Sequence, residues 1–200
     1  MAVRRLDDVL AEIARRPAPY GLHLVAVDGP SGSGKSTLAA RLAARSGSPV
    51  LPGDDFLSWP TFDGWWSRFQ DQVLRPLRRG EDARYQARDW EHDEFGTMLG
   101  EWKVLPWSPV VLVEGVTFGR RAAGDAFAYR IWVDAPQDVR LARGLARDGE
   151  SHRALWLDWM RREQEFFATD QTAEAADLHV DGAPVELHDP ETEVVLTDVA

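Results

Sequence analysis

Cysteine is absent from this 200-residue chain, and lysine occurs only twice, as Lys35 and Lys103. The lack of cysteine excludes disulfides, thiolate metal sites and cysteine nucleophiles. No apolar run approaches the roughly 20 residues that cross a bilayer, and the N-terminal stretch MAVRRLDDVLAEIARRP lacks the apolar segment of a secretory signal. We therefore expect a cytoplasmic protein that does not associate with membranes.

Positive charge is missing from the C-terminal part of the chain. All 23 Lys and Arg residues precede residue 163, whereas eleven of the 33 acidic residues follow Arg162, and the formal net charge is −10. Nucleic-acid binding needs a basic face, so this balance argues against a nucleic-acid partner. A local basic pocket can still form among the earlier residues. The acidic segment 183–200 is interpreted as a solvated surface.

The pattern of apolar residues predicts an α/β fold in one domain spanning 1–200. Helical spacing marks RRLDDVLAEIARR, and five short apolar stretches followed by turn residues indicate strands. These stretches are LHLVAVD, SPVLPG, PVVLVEG, YRIWVDA and DLHVDG. Helical stretches between strands form crossovers, which predicts a largely parallel sheet covered by helices on both faces. Segment 56–108, rich in tryptophan, is predicted to form helices and loops over one end of the sheet.

One turn between a predicted strand and a predicted helix carries a specific chemical signal. Gly29, Gly34, Lys35 and Ser36 satisfy the pattern G-x-x-x-x-G-K-[ST]. In such a loop, backbone N–H groups and the positive end of the helix bind phosphate oxygens, the lysine contacts the outer phosphates, and the hydroxyl can ligate Mg²⁺. The pattern therefore predicts a nucleoside triphosphate site. Its expected residues are Gly29, Ser31, Gly32, Ser33, Gly34, Lys35, Ser36 and Thr37.

Carboxylates follow two predicted strands, at the sheet edge where ligands of open α/β folds collect. Glu114 ends VVLVE and suits an acid that holds Mg²⁺ or its waters; the alternative is a strand-end glutamate that faces solvent. Asp54 and Asp55 follow LPG and suit a metal contact and a base for an attacking hydroxyl; the alternative is an ordinary turn with a helix cap. The expected metal ligands are Ser36, Glu114 and Asp54.

The stretch DVRLARGLARDG offers cations for a transferring phosphoryl group. Arg140, Arg143 and Arg147 fall at i, i+3 and i+7, on one face of a predicted helix in a lid at 136–153. Alone, such a stripe is more often a solvated helix face. Beside a phosphate-binding loop it suits stabilisation of the γ-phosphoryl group. This favours a kinase with a small-molecule acceptor over a hydrolase.

Together these motifs resemble the uridine kinase-like group of P-loop nucleoside kinases. The resemblance covers most of residues 22–182 and is carried by DGPSGSGKST (28–37), DDF (54–56), LRPLRRGEDARYQARDW (74–90), VVLVEG (110–115) and VDAPQDVRLARGLARD (133–148). It implies a P-loop NTPase fold with a five-stranded parallel sheet, ATP with Mg²⁺, and phosphorylation of a primary hydroxyl. It also implies that Asp54 is the base or orients the substrate. Lys35, Arg140 and Arg143 would then act on the phosphoryl group, and Arg147 on the nucleotide.

The same resemblance implies an acceptor site within 56–108 for a small-molecule substrate. Asp63 lies near the position of a ribose-binding aspartate. Asp89 and Trp90 match part of a nucleoside-pocket element in which Arg88 replaces a tyrosine. The histidines are assigned no chemistry, and the apolar residues of 156–167 are interpreted as core packing.

Arg88 leaves two interpretations open. Its guanidinium could select an anionic acceptor, or it could pair with Glu91 or Glu94 at the surface. Two further functions also stay open beside a nucleoside kinase. One is a nucleoside monophosphate kinase, in which Arg88 would clamp the phosphate, and the other is a regulatory ATPase without a small-molecule acceptor. Self-association into a homo-oligomer is left open as well.

Overall fold

The computed structural model describes residues 2–62 and 64–197. Its main strands are β1 (Ala2–Arg5), β2 (His23–Asp28), β3 (Val50–Pro52), β6 (Val110–Glu114), β7 (Tyr129–Asp134), β8 (Leu178–Asp181) and β9 (Glu193–Leu196). They form a seven-stranded sheet in the order β1-β9-β8-β7-β2-β6-β3. A separate two-stranded hairpin consists of β4 (Ala83–Arg88) and β5 (Leu99–Leu105).

The parallel part of the main sheet corresponds to the predicted strands. β3, β6, β2, β7 and β8 pair in parallel, so the predicted α/β fold with a mostly parallel sheet is confirmed. β9 and β1 extend this sheet in antiparallel pairing. Neither was predicted, because AVRR has only two apolar residues and EVVL lies in the segment interpreted as a solvated surface. Val194 and Val195 of β9 are buried, so that interpretation was wrong for this part of the segment.

Helices cover both faces of the sheet, as predicted. They are α1 (Leu6–Arg15), α2 (Lys35–Ser46), α3 (Trp66–Phe69), α4 (Arg75–Arg78), α5 (Gln137–Asp148) and α6 (Arg153–Asp170), and a π-helical turn, Gln70–Leu74, joins α3 to α4. Alternate residues of a strand point to opposite faces. Val25 and Val27 of β2 therefore share a core with α1 and α2, whereas Leu24 and Ala26 belong to an aromatic-rich core on the other face. Within the described ranges, no helix has both the length and the apolar character needed to cross a membrane.

Segment 56–108 differs from the prediction of helices and loops. It contains α3 and α4, but residues 83–105 form the hairpin, with an irregular register between Gln86 and Arg88. Ala83, Tyr85 and Ala87 are buried on one face of β4. The alternation of apolar with charged and polar residues over 83–88 is a strand signal, and the prediction of helices and loops missed it.

Candidate active site

The predicted phosphate-binding loop joins the end of β2 to the first turn of α2. Gly29 has φ +140° and Gly32 has φ +78°, conformations that residues with side chains rarely adopt. A Cβ atom on Gly29 would lie 2.0 Å from the carbonyl oxygen of Val133, and one on Gly32 would lie 2.6 Å from that of Arg140. Glycine therefore lets the loop pack directly against β7 and α5. Because α2 begins at Lys35, the positive end of the helix lies at this loop.

A buried carboxylate that the sequence analysis missed accepts hydrogen bonds from the phosphate-binding loop and from the segment after β6. Asp28 ends β2, and its Oδ1 accepts hydrogen bonds from the backbone N–H groups of Gly29 (2.6 Å) and Thr117 (2.9 Å), while Oδ2 accepts one from Gly119 (2.7 Å). Burial raises the pKa of the Asp28 carboxyl to about 7, although the three N–H groups oppose this shift. An acid at the end of an apolar strand, directly before the first glycine of the motif, was the available signal. Asp28 ties the loop to the segment after β6.

We expect Asp28→Ala to lower the melting temperature by several degrees. Alanine leaves three buried N–H groups without an acceptor, each at a cost of about 1–3 kcal/mol, which outweighs the relief of the penalty on the buried carboxylate, and a protein of this size loses about 2–4 °C per kcal/mol. Thermal unfolding followed by circular dichroism measures the change. Asp125→Ala is the matched control, because the Asp125 side chain is fully exposed. Equal melting temperatures for wild type and Asp28→Ala would contradict the assigned role.

A cleft of about 240 Å³ opens beside the loop, and we name it the phosphate cleft. It brings together predicted residues from the loop, from two strand ends and from α5. These are Ser31, Gly32, Gly34, Lys35, Ser36, Thr37, Asp54, Glu114, Arg143 and Arg147. Two predicted loop residues, Gly29 and Ser33, do not line it, and the Ser33 side chain is buried.

Both carboxyl groups that line the phosphate cleft, those of Asp54 and Glu114, have raised pKa values. Although Asp54 is exposed at the surface of the cleft, the protein packed around its carboxyl raises the pKa of that group, while the charges of Lys35 and Arg147 act in the opposite direction. Burial also raises the pKa of Glu114, against the charge of Lys35 and a hydrogen bond with Ser36. The Lys35 ammonium group donates a hydrogen bond to the Pro30 carbonyl at 2.9 Å. A raised pKa makes a carboxylate a stronger proton acceptor.

Oxygen donors suited to Mg²⁺ are present in this cleft. Ser36, Glu114 and Asp54 all line the same space. Residues 2–62 and 64–197 contain no group of three or more His, Cys, Asp or Glu side chains able to hold a metal by themselves. Mg²⁺ in nucleotide sites takes one or two carboxylates and fills its remaining positions with waters and phosphates. The predicted set therefore fits this ion.

The two aspartates after β3 lie in different environments. Asp55 is 6% exposed, and its carboxylate accepts hydrogen bonds from the Tyr85 hydroxyl at 2.8 Å and from Lys103 Nζ at 3.0 Å. These bonds connect Asp55 to both strands of the hairpin. Asp54, in contrast, lines the phosphate cleft. Of the pair, Asp54 is therefore the one that faces the cleft, and Asp55 is the one bonded to the hairpin.

Two of the three predicted arginines of α5 reach the phosphate cleft. Arg143 donates hydrogen bonds to the carbonyl oxygens of Gly32 and Gly182, at 3.0 Å each. Arg147 donates two hydrogen bonds to Asp148, at 2.7 and 3.0 Å. Both guanidinium groups are therefore held beside the phosphate-binding loop by bonds within the protein.

Arg140 lies behind the loop and does not line the cleft. Its Nε donates to the Ala135 carbonyl at 2.9 Å, and its Nη1 lies 3.6 Å from Oε2 of Glu163. Glu163 is 1% exposed, and its Oε1 accepts hydrogen bonds from the Ser31 backbone N–H at 2.8 Å and from Trp159 Nε1 at 2.7 Å. The structure thus places Arg140 in a buried cluster that holds the loop, rather than above the phosphates.

A second cleft, of about 400 Å³, adjoins the first, and we name it the tryptophan cleft. It is lined by Ser31, Asp54, Leu57, Ser58, Trp59, Trp90, Glu94, Arg147, Asp148, His152, Trp156 and Trp159. Asp54 and Arg147 also line the phosphate cleft. Trp90 Nε1 donates a hydrogen bond to the Asp54 carbonyl at 2.8 Å. One carboxylate therefore stands where a phosphate-binding site meets a site walled by indole rings.

The fold matches those of solved kinase structures. A structure described as a possible uridine kinase from Bacillus stearothermophilus superposes with a TM-score of 0.62 at 20% identity, covering 87% of this chain and 96% of that one. A structure described provisionally as a fructose transport system kinase from a Silicibacter species gives a TM-score of 0.57 at 25% identity, covering 86% of this chain and 92% of that one. The chain has a P-loop kinase fold. The expected likeness to uridine kinase-like proteins is thereby confirmed for the fold.

Sequence comparison points in the same direction. The chain matches no protein-family model. A cytidylate kinase from Haloquadratum walsbyi is 28% identical, and the match covers 78% of this chain and 74% of that protein. Together with the P-loop kinase fold, this similarity supports a kinase that acts on a nucleotide or another small molecule.

The Arg88 side chain is bonded to backbone groups of the protein rather than facing a cleft. It does not line the tryptophan cleft. Its Nε donates to the Phe56 carbonyl at 3.1 Å, and its Nη1 donates to the Thr97 carbonyl at 2.9 Å. Neither expected environment is observed, because the guanidinium fastens the end of β4 to backbone carbonyls instead of binding an anion or a surface glutamate.

Of the other residues predicted to bind the acceptor, only some line the tryptophan cleft. Trp90 lines the tryptophan cleft, and Asp89 does not. Asp89 accepts a hydrogen bond from the His92 backbone N–H at 3.1 Å and contacts His92 Nδ1 at 3.0 Å. These interactions lower the pKa of the Asp89 carboxyl. Asp63 lies outside the described residues, so its ribose-binding role stays a prediction.

Several residues of the tryptophan cleft were not predicted. Trp156 and Trp159 are buried, as the interpretation of core packing expected, yet they also line the cleft. His152, which was assigned no chemistry, lies 3.0 Å from Oε1 of Glu94 through its Nε2. Asp148 accepts a hydrogen bond from Trp156 Nε1 at 3.0 Å. Glu94 lies far from 148–159 in the chain, so the sequence spacing held no signal that it meets His152.

A third cleft, of about 600 Å³, lies against the other side of the loop, and we name it the C-terminal cleft. Gly34, Thr37 and Arg143 line both this cleft and the phosphate cleft. The C-terminal segment contributes Gly182, Ala183, Pro184, His188, Pro190 and Glu193 to its wall. Part of the acidic segment therefore borders the nucleotide site.

Proposed function

We propose that the protein is an ATP- and Mg²⁺-dependent kinase that phosphorylates a hydroxyl group of a small, nucleoside-like molecule. The observation that carries this proposal is the position of Asp54, which lines both the phosphate cleft and the tryptophan cleft. A carboxylate at this junction can accept the proton of a hydroxyl that enters from the tryptophan cleft. Indole rings suit a flat substrate, because they offer large apolar surfaces with fixed geometry.

The donor nucleotide spans two of the clefts in this proposal. Its phosphates bind to the loop amides and Lys35 in the phosphate cleft. Its base and sugar extend into the C-terminal cleft, whose volume of about 600 Å³ suits a nucleoside. Arg143, which lines both clefts, lies where the two parts of the nucleotide join.

Phosphoryl transfer then joins the acceptor oxygen to the γ-phosphorus, while the bond from that phosphorus to the β,γ-bridging oxygen breaks and ADP leaves. Asp54 accepts the hydroxyl proton, and its raised pKa makes it a stronger base. Lys35 and Arg147 line the cleft in which negative charge gathers on the phosphoryl oxygens. Ser36 and Glu114 would hold Mg²⁺, which neutralises phosphate charge when it is bound.

ADP release by the purified protein tests this proposal. The assay supplies ATP and Mg²⁺ with a panel of nucleosides, nucleoside monophosphates and sugars, and Lys35→Ala serves as the blank. We expect release that depends on an acceptor and disappears in the blank, with a phosphorylated acceptor identified by mass spectrometry. ADP release that is the same without any acceptor would instead favour a regulatory ATPase.

A nucleoside monophosphate kinase is the second candidate, because the relative from Haloquadratum walsbyi is a cytidylate kinase. In that case cytidine monophosphate would be phosphorylated and cytidine would not. Arg88, the residue expected to clamp the acceptor phosphate, lies outside the tryptophan cleft. This placement favours the first candidate.

A further inference from the structure

The short turn that carries Asp54 depends on other parts of the chain for its hydrogen bonds. The backbone N–H groups of Phe56 and Leu57 both donate to the Gly53 carbonyl, at 2.8 and 3.0 Å, and a helix does not follow directly. The carbonyl groups of 54–56 are therefore left to donors from outside the turn. Because such groups need partners, the donors that reach them fix how this backbone is oriented.

Side chains from α3 and from the end of the first hairpin strand supply these donors. Trp90 Nε1 donates to the Asp54 carbonyl at 2.8 Å. The Phe56 carbonyl accepts hydrogen bonds from Arg88 Nε and from Arg68 Nη2, at 3.1 Å each. Bonds from a guanidinium group are about twice as strong as those between neutral groups. The backbone on either side of the Asp54 carboxylate is thus held in place from outside the turn.

One loop, residues 93–98, holds both Arg88 and Trp90. Arg88 Nη1 donates to the Thr97 carbonyl at 2.9 Å. Gly96 packs against the Trp90 ring, because a Cβ atom at this position would lie 2.5 Å from Cη2 of the indole. Gly96 also has φ +62°, a conformation that glycine adopts without strain. The indole is therefore held at its N–H group by the turn and at its far edge by the loop.

Asp93 gives the 93–98 loop its shape. Its carboxylate accepts hydrogen bonds from the backbone N–H groups of Phe95 at 3.0 Å and Met98 at 2.7 Å. It also accepts bonds from the hydroxyl and the backbone N–H of Thr97. The bond from the Thr97 hydroxyl is the largest of several that lower the pKa of the Asp93 carboxyl to about 2. The protein itself therefore holds this loop in one shape.

We propose that the 93–98 loop positions the base of the reaction: through Trp90 and Arg88 it fixes the backbone of Asp54, so that the carboxylate meets the acceptor hydroxyl. This inference rests on the proposed kinase function, which makes Asp54 the base. Trp90 also lines the tryptophan cleft, so the ring that contacts the acceptor is the ring that holds the base. Neither Asp93 nor Gly96 lies in any motif that the sequence singled out.

Trp90→Phe tests the hydrogen bond to the turn. Phenylalanine keeps an aromatic wall but has no N–H group to donate. Misplacement of a reacting group by about 1 Å can cost about 10²-fold, and Arg88 still holds part of the turn, so we expect kcat to fall about tenfold with KM for ATP unchanged. Trp107→Phe is the matched control, because Trp107 Nε1 donates to the Leu77 carbonyl at 3.1 Å and lines neither cleft. Wild-type kcat in Trp90→Phe would overturn the inference.

Gly96→Ala displaces the ring without changing any side chain of the cleft wall. We expect a similar fall in kcat. Gly47→Ala is the control, because Gly47 has φ +69° and an added Cβ would meet nothing within 4 Å, and it should keep the wild-type kcat. The outer ring atoms that Gly96 faces are absent from phenylalanine, so Gly96→Ala should cost little more in a Trp90→Phe background. Independent, multiplying losses in the double variant would overturn the inference.

A measurement without turnover separates this inference from the proposed function. The indole N–H signal of Trp90 in the NMR spectrum is the one missing from Trp90→Phe. We expect its proton to exchange with water at least tenfold faster in Gly96→Ala than in wild type, and at the wild-type rate in Gly47→Ala. This pattern without ADP release from any acceptor would overturn the kinase function and leave the held turn standing. Acceptor-dependent ADP release, with wild-type exchange and kcat in Gly96→Ala, would support the kinase and overturn the role of the loop.

Discussion

Asp54→Asn should lower kcat for phosphotransfer by about 10²- to 10⁴-fold, the range that general bases contribute. Asparagine keeps the shape of the side chain but cannot accept the proton of the acceptor hydroxyl. The apparent KM for ATP should change little, because the loop amides and Lys35 remain in place. Steady-state ADP release with the best acceptor measures both constants.

The stability of this variant should not fall. Asp54 is exposed at the surface of the cleft. A neutral side chain of the same shape at an exposed position therefore changes the free energy of unfolding little. A melting temperature equal to or above that of wild type, together with lost turnover, would identify Asp54 as a catalytic residue rather than a structural one.

The neighbouring aspartate supplies the matched control. Asp55→Asn weakens the ion pair with Lys103 and the hydrogen bond from Tyr85, so its melting temperature should fall while kcat of the folded fraction stays within a few-fold of wild type. A larger loss of kcat in Asp55→Asn than in Asp54→Asn would reverse the two assignments. Full turnover in Asp54→Asn would reject the proposed base.

The different fates of these two aspartates show what the sequence could not supply. The motif DDF, through the family resemblance, indicated Asp54 as the functional acid after β3, but it assigned no separate role to Asp55. What separates them is the hairpin, which brings Tyr85 and Lys103 to Asp55. Because that hairpin was itself not predicted, reasoning from the motif could not foresee the contacts of Asp55.

Local signals explain what was predicted well. The five parallel strands are apolar runs bounded by turns, and the phosphate-binding loop is fixed by neighbouring residues whose backbone does most of the binding. Glu114 and Asp54 follow from the rule that ligands collect at the carboxyl ends of parallel strands. Each of these predictions needed only short-range order or sheet topology.

Side-chain direction explains what was predicted poorly. Arg140 shares a helix face with Arg143 in the sequence pattern, yet its guanidinium turns towards Glu163, a residue 23 positions later. Arg88 reaches carbonyls of two separate loops. The direction of each side chain depends on partners that are distant in the sequence and meet only in the folded protein. A motif therefore predicts roughly where a residue lies, but it does not predict which groups its side chain contacts.

Glu163 is the missed residue with the largest expected effect. Its buried carboxylate joins three elements: it accepts hydrogen bonds from the Ser31 backbone N–H and from Trp159 Nε1, and its second oxygen faces Arg140. Trp159 also donates to the Ser31 hydroxyl at 2.9 Å and lines the tryptophan cleft. The carboxylate therefore connects the wall of the proposed acceptor site to the phosphate-binding loop.

Glu163→Ala should lower kcat/KM for ATP about 10²-fold, because a displacement of about 1 Å in a positioning group can cost that much. The substitution leaves the backbone N–H of Ser31 without its acceptor and removes one of the two acceptors of Trp159 Nε1, so the loop relaxes away from its phosphate-binding form. Glu163→Gln should retain most of the activity, because an amide oxygen can still accept both bonds. Steady-state kinetics with varied ATP, at a temperature where melting curves show each variant folded, measures the effect.

Glu165→Ala provides the control on the same helix, because the Glu165 side chain is 64% exposed and pairs with Arg161 at the surface. It should match wild type. If Glu163→Gln were as impaired as Glu163→Ala, the negative charge opposite Arg140 would be the requirement, and not the acceptance of the two N–H groups. If Glu163→Ala retained wild-type kcat/KM, the loop would hold its shape without α6. Binding of the acceptor against Trp159 could then not affect the phosphate-binding loop through Glu163, and the two clefts would act independently.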